Sequence, residues 1–293
     1  MSKKYGTACG VWGDIIVGLG YFKNIIGKGE ILYLGNNQQI IDYLNCQDFI
    51  TNVIKLNVDE DDWKNYWVYT VFKKALEHNK EYTAEPKDPF YKFGYKDSQF
   101  DLTHLHFELA QPDQPIYQWE GKKLPEYAEE WAREKSKELP DKFYLYQPYS
   151  FNSNNPKNHW PHWNSLTGHI NNYTNKNLVL IGHNWLSGID KYSKNMFHPK
   201  IINLYNQVPS MLHIFALAKY AKGVITTSNS LAHWCQIANI PCVVICNNKS
   251  SRPEYIYRRV LEWPTITCIN HDQSMQDAFN TIGEKLFILD SLI

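Results

Sequence analysis

The residues with the clearest chemical potential stand in one short segment, 226–233 (TTSNSLAH), which directly follows an apolar strand. Ser and Asn at such a position cap a helix, whose N-terminus carries backbone N–H donors and the positive end of a dipole. At the carboxyl end of a parallel strand, this arrangement binds anions such as phosphate. A helix that is merely well capped is the alternative interpretation of the same residues.

A second candidate is Asp14, in the segment 10–14 (GVWGD) that opens the first predicted helix. Gly13 gives the backbone freedom to turn, and Asp14 stands at or near the N-cap position. On the residues alone, a plain helix cap is the favoured interpretation of this carboxylate.

These residues are positioned by alternating strands and helices, an order that implies parallel sheets covered on both faces. In the first half, strands are predicted at 6–10, 31–35 and 52–56, with helices at 14–26 and 38–46. In the second half, strands are predicted at 142–148, 177–182, 201–205, 223–227, 241–247 and 266–270, with helices at 163–173, 210–221, 230–238 and 274–289. Between the halves we predict helices at 61–78 and 124–138 and an edge strand at 103–108.

The segment 223–246 resembles the donor corner of the family 9 glycosyltransferases, the lipopolysaccharide heptosyltransferases and their relatives. Their pattern is a strand, Asn-Asp-Ser/Thr-Gly, two residues, His, a small-residue helix, then Pro and an apolar strand. His233 and Pro241 keep the family's separation of eight, and 159–161 (HWP) takes the place of its Lys-x-Trp-Pro loop. The resemblance runs fairly continuously over residues 142–247.

The resemblance implies an α/β fold of the GT-B type, in which two Rossmann-like domains face each other across a cleft. We predict an acceptor domain at 1–140, a nucleotide-sugar donor domain at 141–273, and a final helix at 274–293 that can cross back to the first domain. Pro140 and Asp141 mark the predicted hinge. Other two-domain α/β enzymes share this layout.

The resemblance also implies roles for individual residues. Asp14 matches the family's proposed catalytic base. The implied donor-binding residues are Gly13, Lys157, Asn158, Thr226, Thr227, Ser228, Asn229, Ser230, Leu231 and His233. Ser228 departs from the family, because relatives carry Asp there, and this difference bears on which sugar is used. Lys157 stands one place further from Trp160 than the family's donor-binding Lys, so either Lys157 or Asn158 can take that role.

The charge balance and the composition limit the classes of partner that the protein can bind. Lys and Arg number 30 and Asp and Glu number 30, which argues against a general electrostatic grip on nucleic acid or membrane. A local basic patch at Arg252, Arg258 and Arg259 could line the donor cleft, grip an acceptor phosphate or touch nucleic acid, with a solvated amphipathic helix as the simpler interpretation. Apolar runs are shorter than the roughly 18–20 residues of a membrane span, and the N-terminus lacks a signal-peptide core, so we expect a cytoplasmic protein.

The sequence therefore predicts an inverting, metal-independent glycosyltransferase that uses a nucleotide-diphosphate sugar as co-substrate, with no cofactor and no metal. The acceptor is a glycan or lipopolysaccharide, or a hydroxymethylated pyrimidine in DNA if the source is a virus such as a bacteriophage, which would place the protein in the host cytoplasm. A sugar-nucleotide epimerase or hydrolase is the second class. A non-catalytic protein that binds nucleotide sugars is the third. The sequence does not specify an oligomeric state.

Overall fold

A computed structural model describes residues 5–8, 12–13, 15–16, 19, 23, 28–34, 36–56, 95–96, 99–100, 121–148, 160, 162–173, 177–182, 201–227, 229–246, 266–270 and 274–291. The chain divides into two compact units, Met1–Pro125 and Glu126–Ile293. Within the described residues, none of the helices has the length and apolar character that crossing a membrane requires.

The first unit contains a parallel sheet with the order β1-β2-β3, formed by Tyr5–Ala8, Gly29–Leu34 and Ile50–Leu56. Helix α1 (Gln38–Asn45) joins β2 to β3, and the described residues between 12 and 23 are helical. This β-α-β-α-β order is the predicted one. A short antiparallel hairpin, β4 (Tyr95–Lys96) with β5 (Gln99–Phe100), was not predicted. The predicted helix at 61–78 and edge strand at 103–108 lie outside the described residues.

The last residues of the first unit are held against α1. The buried hydroxyl of Tyr43 donates to the carbonyl oxygen of Gly121 at 2.7 Å, and Gln47 Nε2 donates to the carbonyl oxygen of Lys123 at 2.9 Å. Gly121 adopts a φ of +97°, and a Cβ there would lie 3.0 Å from the Tyr43 hydroxyl. Glycine is therefore required both by the backbone conformation and by this close approach.

The second unit is built on a six-stranded parallel sheet with the order β11-β10-β9-β6-β7-β8. Its strands are β6 (Phe143–Gln147), β7 (Asn177–Leu180), β8 (Ile202–Asn203), β9 (Gly223–Thr227), β10 (Cys242–Cys246) and β11 (Ile266–Asn270). Its helices are α2 (Glu126–Lys137), α3 (Trp163–Tyr173), α4 (Met211–Ala218), α5 (Ser230–Ala238) and α6 (Met275–Ser291). Numbered from β6, this is the doubly wound order of dinucleotide-binding folds.

Strand β8 is shorter than the predicted 201–205. The chain turns directly after Asn203, whose side-chain oxygen accepts a hydrogen bond from the Tyr205 amide at 2.9 Å. Asn206 then adopts a positive φ of 60°. Asn tolerates this conformation and favours such local side-chain bonds, so turn chemistry ended a strand that hydrophobicity alone would have extended.

The predicted boundary at 140/141 and the separate carboxy-terminal segment differ from the structure. Helix α2 belongs to the second unit, where Ala128 and Ala132 are fully buried and Glu129 pairs with Lys219 beyond α4. The start of α6 also lies in the core of this unit, with Ala278, Phe279 and Ile282 buried. Helix α2 and the described start of α6 thus both bury apolar side chains in this unit.

Candidate functional site

The candidate site lies in the second unit, where the topology of the sheet reverses. β6 and β9 are neighbours, with Gln147 paired to Thr226 in register, but the chain runs from β6 toward β7 and from β9 toward β10, in opposite directions. The connection after β6 and the connection after β9 therefore cross opposite faces of the sheet. In doubly wound sheets, ligands bind in the crevice that this reversal opens.

The N-terminus of α5 lies at this reversal and is capped by Asn229. Asn229 has extended backbone angles (φ −156°, ψ −175°), and its Oδ1 accepts hydrogen bonds from the amides of Leu231 at 2.9 Å and Ala232 at 3.2 Å. These satisfy two of the amides that a helix N-terminus leaves without intrahelical partners. The predicted cap is thus present, and Asn229 provides it.

The other end of the Asn229 amide ties the cap to both central strands. Its Nδ2 donates to the Thr226 hydroxyl at 2.9 Å and to Gln147 Oε1 at 3.2 Å. The Thr226 hydroxyl in turn donates to the carbonyl oxygen of Gln147 at 3.0 Å. We call these three residues, Gln147, Thr226 and Asn229, the switch-point network. All of its groups are neutral, and together they fix the direction of the helix N-terminus.

The structure separates the predicted donor-binding residues into two sets. Thr226 and Leu231 are fully buried, and the hydroxyl of Thr227 donates to the carbonyl oxygen of Ile245 at 3.3 Å, so these three hold the turn in place. Asn229 and Ser230 are half-buried and stand at its surface. The Ser230 amide donates no hydrogen bond within the described part of the chain, as is usual for the first amide of a helix, and it remains available as a donor.

His233, a predicted donor-binding residue, and Trp160, at the Trp-Pro position of the family pattern, are both buried. His233 is 7% exposed, so its side chain belongs mainly to the helix packing. Trp160 is also buried and makes edge-to-face contacts with Trp163 at 5.1 Å and Phe279 at 6.3 Å. Trp160 therefore packs against α3 and α6.

Gln147 is the functional candidate that the sequence analysis missed. It is the last residue of the apolar strand 143–147 (FYLYQ) and is 4% exposed. A polar residue at the carboxyl end of an otherwise apolar parallel strand was a signal available in the sequence, because such strand ends line the ligand crevice.

The predicted acceptor corner is described only in part. Gly13 is buried and helical, and its neighbours Trp12 and Ile15 belong to the core. Asp14, Lys157, Asn158, Ser228, Arg252, Arg258 and Arg259 lie outside the described residues, and their predicted roles stay predictions. The described residues contain no cluster of three His, Cys, Asp or Glu side chains that could hold a metal ion.

A separate polar pair lies at the start of α4. The Ser210 hydroxyl and His213 Nδ1 are 2.6 Å apart, and both residues are buried. The rings of Tyr127 and Trp131 from α2 pack on the imidazole at 5.5 and 5.2 Å. Burial lowers the pKa of His213, because this apolar cover disfavours the charged imidazolium. The pair contributes to the packing of α2 on α4.

Comparison with known proteins places the fold. No protein-family model matches the sequence, and no curated protein gives a significant match. Among solved structures, ADP-heptose lps heptosyltransferase II from E. coli matches with a TM-score of 0.62 and 12% identity over 98% of this chain and 99% of that one. A glycosyl transferase family 9 structure from Veillonella parvula matches with a TM-score of 0.58 and 12% identity over 96% of this chain and 88% of that chain.

The E. coli heptosyltransferase WaaC with ADP also matches, with a TM-score of 0.54 and 12% identity over 96% of this chain and 98% of that one. These matches extend over almost the whole of each chain. They confirm the predicted α/β fold of the GT-B type and its resemblance to family 9 glycosyltransferases, with which the two parallel sheets agree.

Proposed function

We propose that the protein is a glycosyltransferase that moves a sugar from a nucleotide-diphosphate sugar to an acceptor hydroxyl, with inversion and without a metal ion. The observation that carries this proposal is the capped N-terminus of α5 at the topological switch point of a sheet with the heptosyltransferase fold. A capped helix N-terminus at this position suits a diphosphate, because its amides and dipole favour negative charge.

The leaving group gives this site its catalytic role. As the glycosidic bond to the donor breaks, negative charge grows on the departing diphosphate, and preorganised N–H donors stabilise that charge. The Ser230 amide and the dipole of α5 supply this stabilisation in the proposal, and either Lys157 or Asn158 adds to it. The switch-point network holds the N-terminus of α5 in place before the donor arrives.

Asp14 is the proposed general base. It would take the proton from the acceptor hydroxyl as the oxygen attacks the anomeric carbon, a step for which a positioned carboxylate is suited. Gly13, buried in the helix beside it, permits close packing at this position. The acceptor is a glycan of the lipopolysaccharide type or, if the source is viral, a hydroxymethylated pyrimidine in DNA.

A thermal-shift screen of nucleoside diphosphates and their sugars tests the donor assignment. A ligand present at 100 times its Kd stabilises the folded state by about 2.7 kcal/mol, so the correct base and sugar should give the largest shift. No shift with any of these ligands would contradict the proposal.

Incubation with the selected donor then separates the reaction classes. A transferase consumes the donor rapidly only when an acceptor hydroxyl is present. Rapid turnover of the donor alone would identify an epimerase or hydrolase, and tight binding without any product would identify a binding protein. A DNA acceptor would be recognised by a steep loss of activity with salt.

A further inference from the structure

The side-chain amide of Gln147 has a donor for which the described fold offers no acceptor. Its Oε1 is bonded to Asn229, but no hydrogen bond from Nε2 is present among the described residues. The side chain is 4% exposed, so the fold encloses most of it. Amide donors in such a position are usually hydrogen-bonded in folded proteins, so Nε2 is available to an acceptor that binds here.

The orientation of this amide follows from the backbone. The amides of Leu231 and Ala232 can only donate, so the atom of Asn229 that faces them must be its oxygen. Asn229 therefore presents its nitrogen to Gln147, and the atom of Gln147 that receives it must be the oxygen. Two backbone donors thus fix both amides in turn, and Gln147 Nε2 is directed away from Asn229.

Gln147 differs in this respect from the other buried glutamine of the unit. Gln236 is 1% exposed, and both of its amide atoms are sealed from solvent without partners. Gln147 Nε2 is not among the sealed atoms, so it keeps some contact with solvent, and Gln147 is the last residue of β6. The open donor therefore lies at the same strand ends as the N-terminus of α5.

We propose that Gln147 is a binding residue for the donor diphosphate, with Nε2 donating to a phosphate oxygen held at the N-terminus of α5. This inference rests on the proposed function and adds a residue to its site. A phosphate oxygen fits because it is an acceptor only, and the adjacent helix dipole favours its charge. Gln147 has a second role as a positioning residue, since its Oε1 holds the Asn229 amide in the capping orientation.

Gln147→Glu is the variant that isolates the donor. The carboxylate keeps an oxygen for Asn229 but replaces Nε2 with a second oxygen, which repels phosphate. Loss of one hydrogen bond to a charged group, together with this repulsion, should weaken binding by about 10-fold or more. The control is Gln207→Glu, which adds the same charge at an exposed glutamine of the same unit and should change the affinity less than about 2-fold.

The probe is inorganic pyrophosphate, titrated into the full chain labelled with ¹⁵N. In the wild-type protein, the side-chain NH₂ resonance of Gln147 and the amide of Ser230 should shift together with one Kd. Gln147→Leu should lose affinity and also alter the Leu231 and Ala232 amides in the absence of ligand, since Asn229 is released. These shifts in the free protein report the positioning role independently of catalysis.

The outcomes for Gln147 and for the proposed function are distinct. The inference would be overturned if pyrophosphate binds without shifting the Gln147 NH₂ resonance, or if wild type and Gln147→Glu bind it equally well. Either result would count against it even if sugar transfer is found. Coupled shifts of Gln147 and Ser230 would support it even if every nucleotide sugar tested is inert, which would count against the transferase alone. Absence of pyrophosphate binding to the wild-type protein would overturn the inference.

Discussion

At the scale of single residues, the proposed chemistry depends on amide and carboxylate groups whose orientations are decided by hydrogen bonds. In Asn229, the side-chain oxygen accepts a hydrogen bond from a helix amide, and the side-chain nitrogen donates to Thr226 at the end of a strand. A threonine or serine hydroxyl could cap the same helix but has a single donor proton. The Asn therefore makes the N-terminus of α5 rigid at the point where the family pattern has Ser or Thr.

Replacement of Asn229 separates capping from anion binding. Asn229→Ala removes both cap bonds and should lower the free energy of unfolding by about 1 kcal/mol. Asn229→Asp loses the two bonds from Nδ2 but keeps the cap acceptor and suits the dipole, so it should lose less stability than Asn229→Ala, while its negative charge should weaken pyrophosphate binding. Urea unfolding and calorimetric titration measure the two quantities. Equal losses of stability in both variants would contradict this account of the cap.

Asp14 can be tested in the same way, because Asn caps a helix about as well as Asp but cannot act as a base. Asp14→Asn should lower the transfer rate by about 10²–10⁴-fold and leave donor binding within about 2-fold. Asp14→Ala should lose transfer as well. Initial rates at saturating donor provide the measurement. Unchanged turnover in Asp14→Asn would identify Asp14 as a plain helix cap.

At the scale of elements, helix α6 is held to the second unit by the aromatic contacts of Phe279. Phe279 fits between α6 and the core, where its ring lies 6.3 Å from Trp160 and 5.0 Å from His169. The Trp160 contact joins α6 to a buried residue just before α3.

Phe279→Ala should lower the free energy of unfolding by about 3–5 kcal/mol, because it leaves a cavity among buried aromatic rings. Met275→Ala, four residues earlier on the same helix, is the matched control, since Met275 is 40% exposed. A change of about 0.5 kcal/mol or less is expected there. Urea midpoints compare the two variants, and similar values would mean that α6 is not anchored by Phe279.

The contact between α2 and α4 should weaken in acid. Because burial lowers the pKa of His213, the unfolded chain binds a proton there that the folded protein does not, as the pH falls through about 6.5. Stability from this residue is present above that value and decreases below it. His213→Gln should therefore lose less stability than wild type between pH 7.5 and 5.5. The other histidines are common to both proteins, so identical pH dependences would exclude His213 as the cause.

At the scale of the whole molecule, the division into two units assigns helix α2 to the second unit. The aromatic rings of Tyr127 and Trp131 and the ion pair of Glu129 with Lys219 join α2 to the second unit. The sequence predicts a hinge between domains at Pro140 and Asp141. In the structure these residues lie between α2 and β6 within the second unit. A Pro next to a turn has the same local signature in either case.

Two fragments test this division. Residues 126–293 should unfold cooperatively, because the unit keeps α2 over the apolar face of α4. Residues 141–293, cut at the boundary predicted from sequence, should unfold at a lower temperature, since that face is uncovered. Circular dichroism during heating measures both. Equal melting temperatures would show that α2 is not an integral part of the unit.

The sequence by itself determined the alternating order of strands and helices in the two parallel sheets, because hydrophobic periodicity and caps are local properties. Segments 223–227 and 230–238 were predicted with the bounds found in the structure, and the capping role of the turn between them was readable from its Ser and Asn residues. The GT-B type of fold was also predicted, but from the resemblance over residues 142–247, which no local pattern supplied.

Only the tertiary structure decided which residues meet. Gln147 and Asn229 are 82 positions apart, and the sheet order brings them together. Their contact identifies Gln147 as a candidate site residue. Thr226 lies buried within the same network, whereas Ser230 lies at the surface. Burial and pairing depend on how strands are ordered across a sheet, a long-range property that neither spacing nor composition encodes.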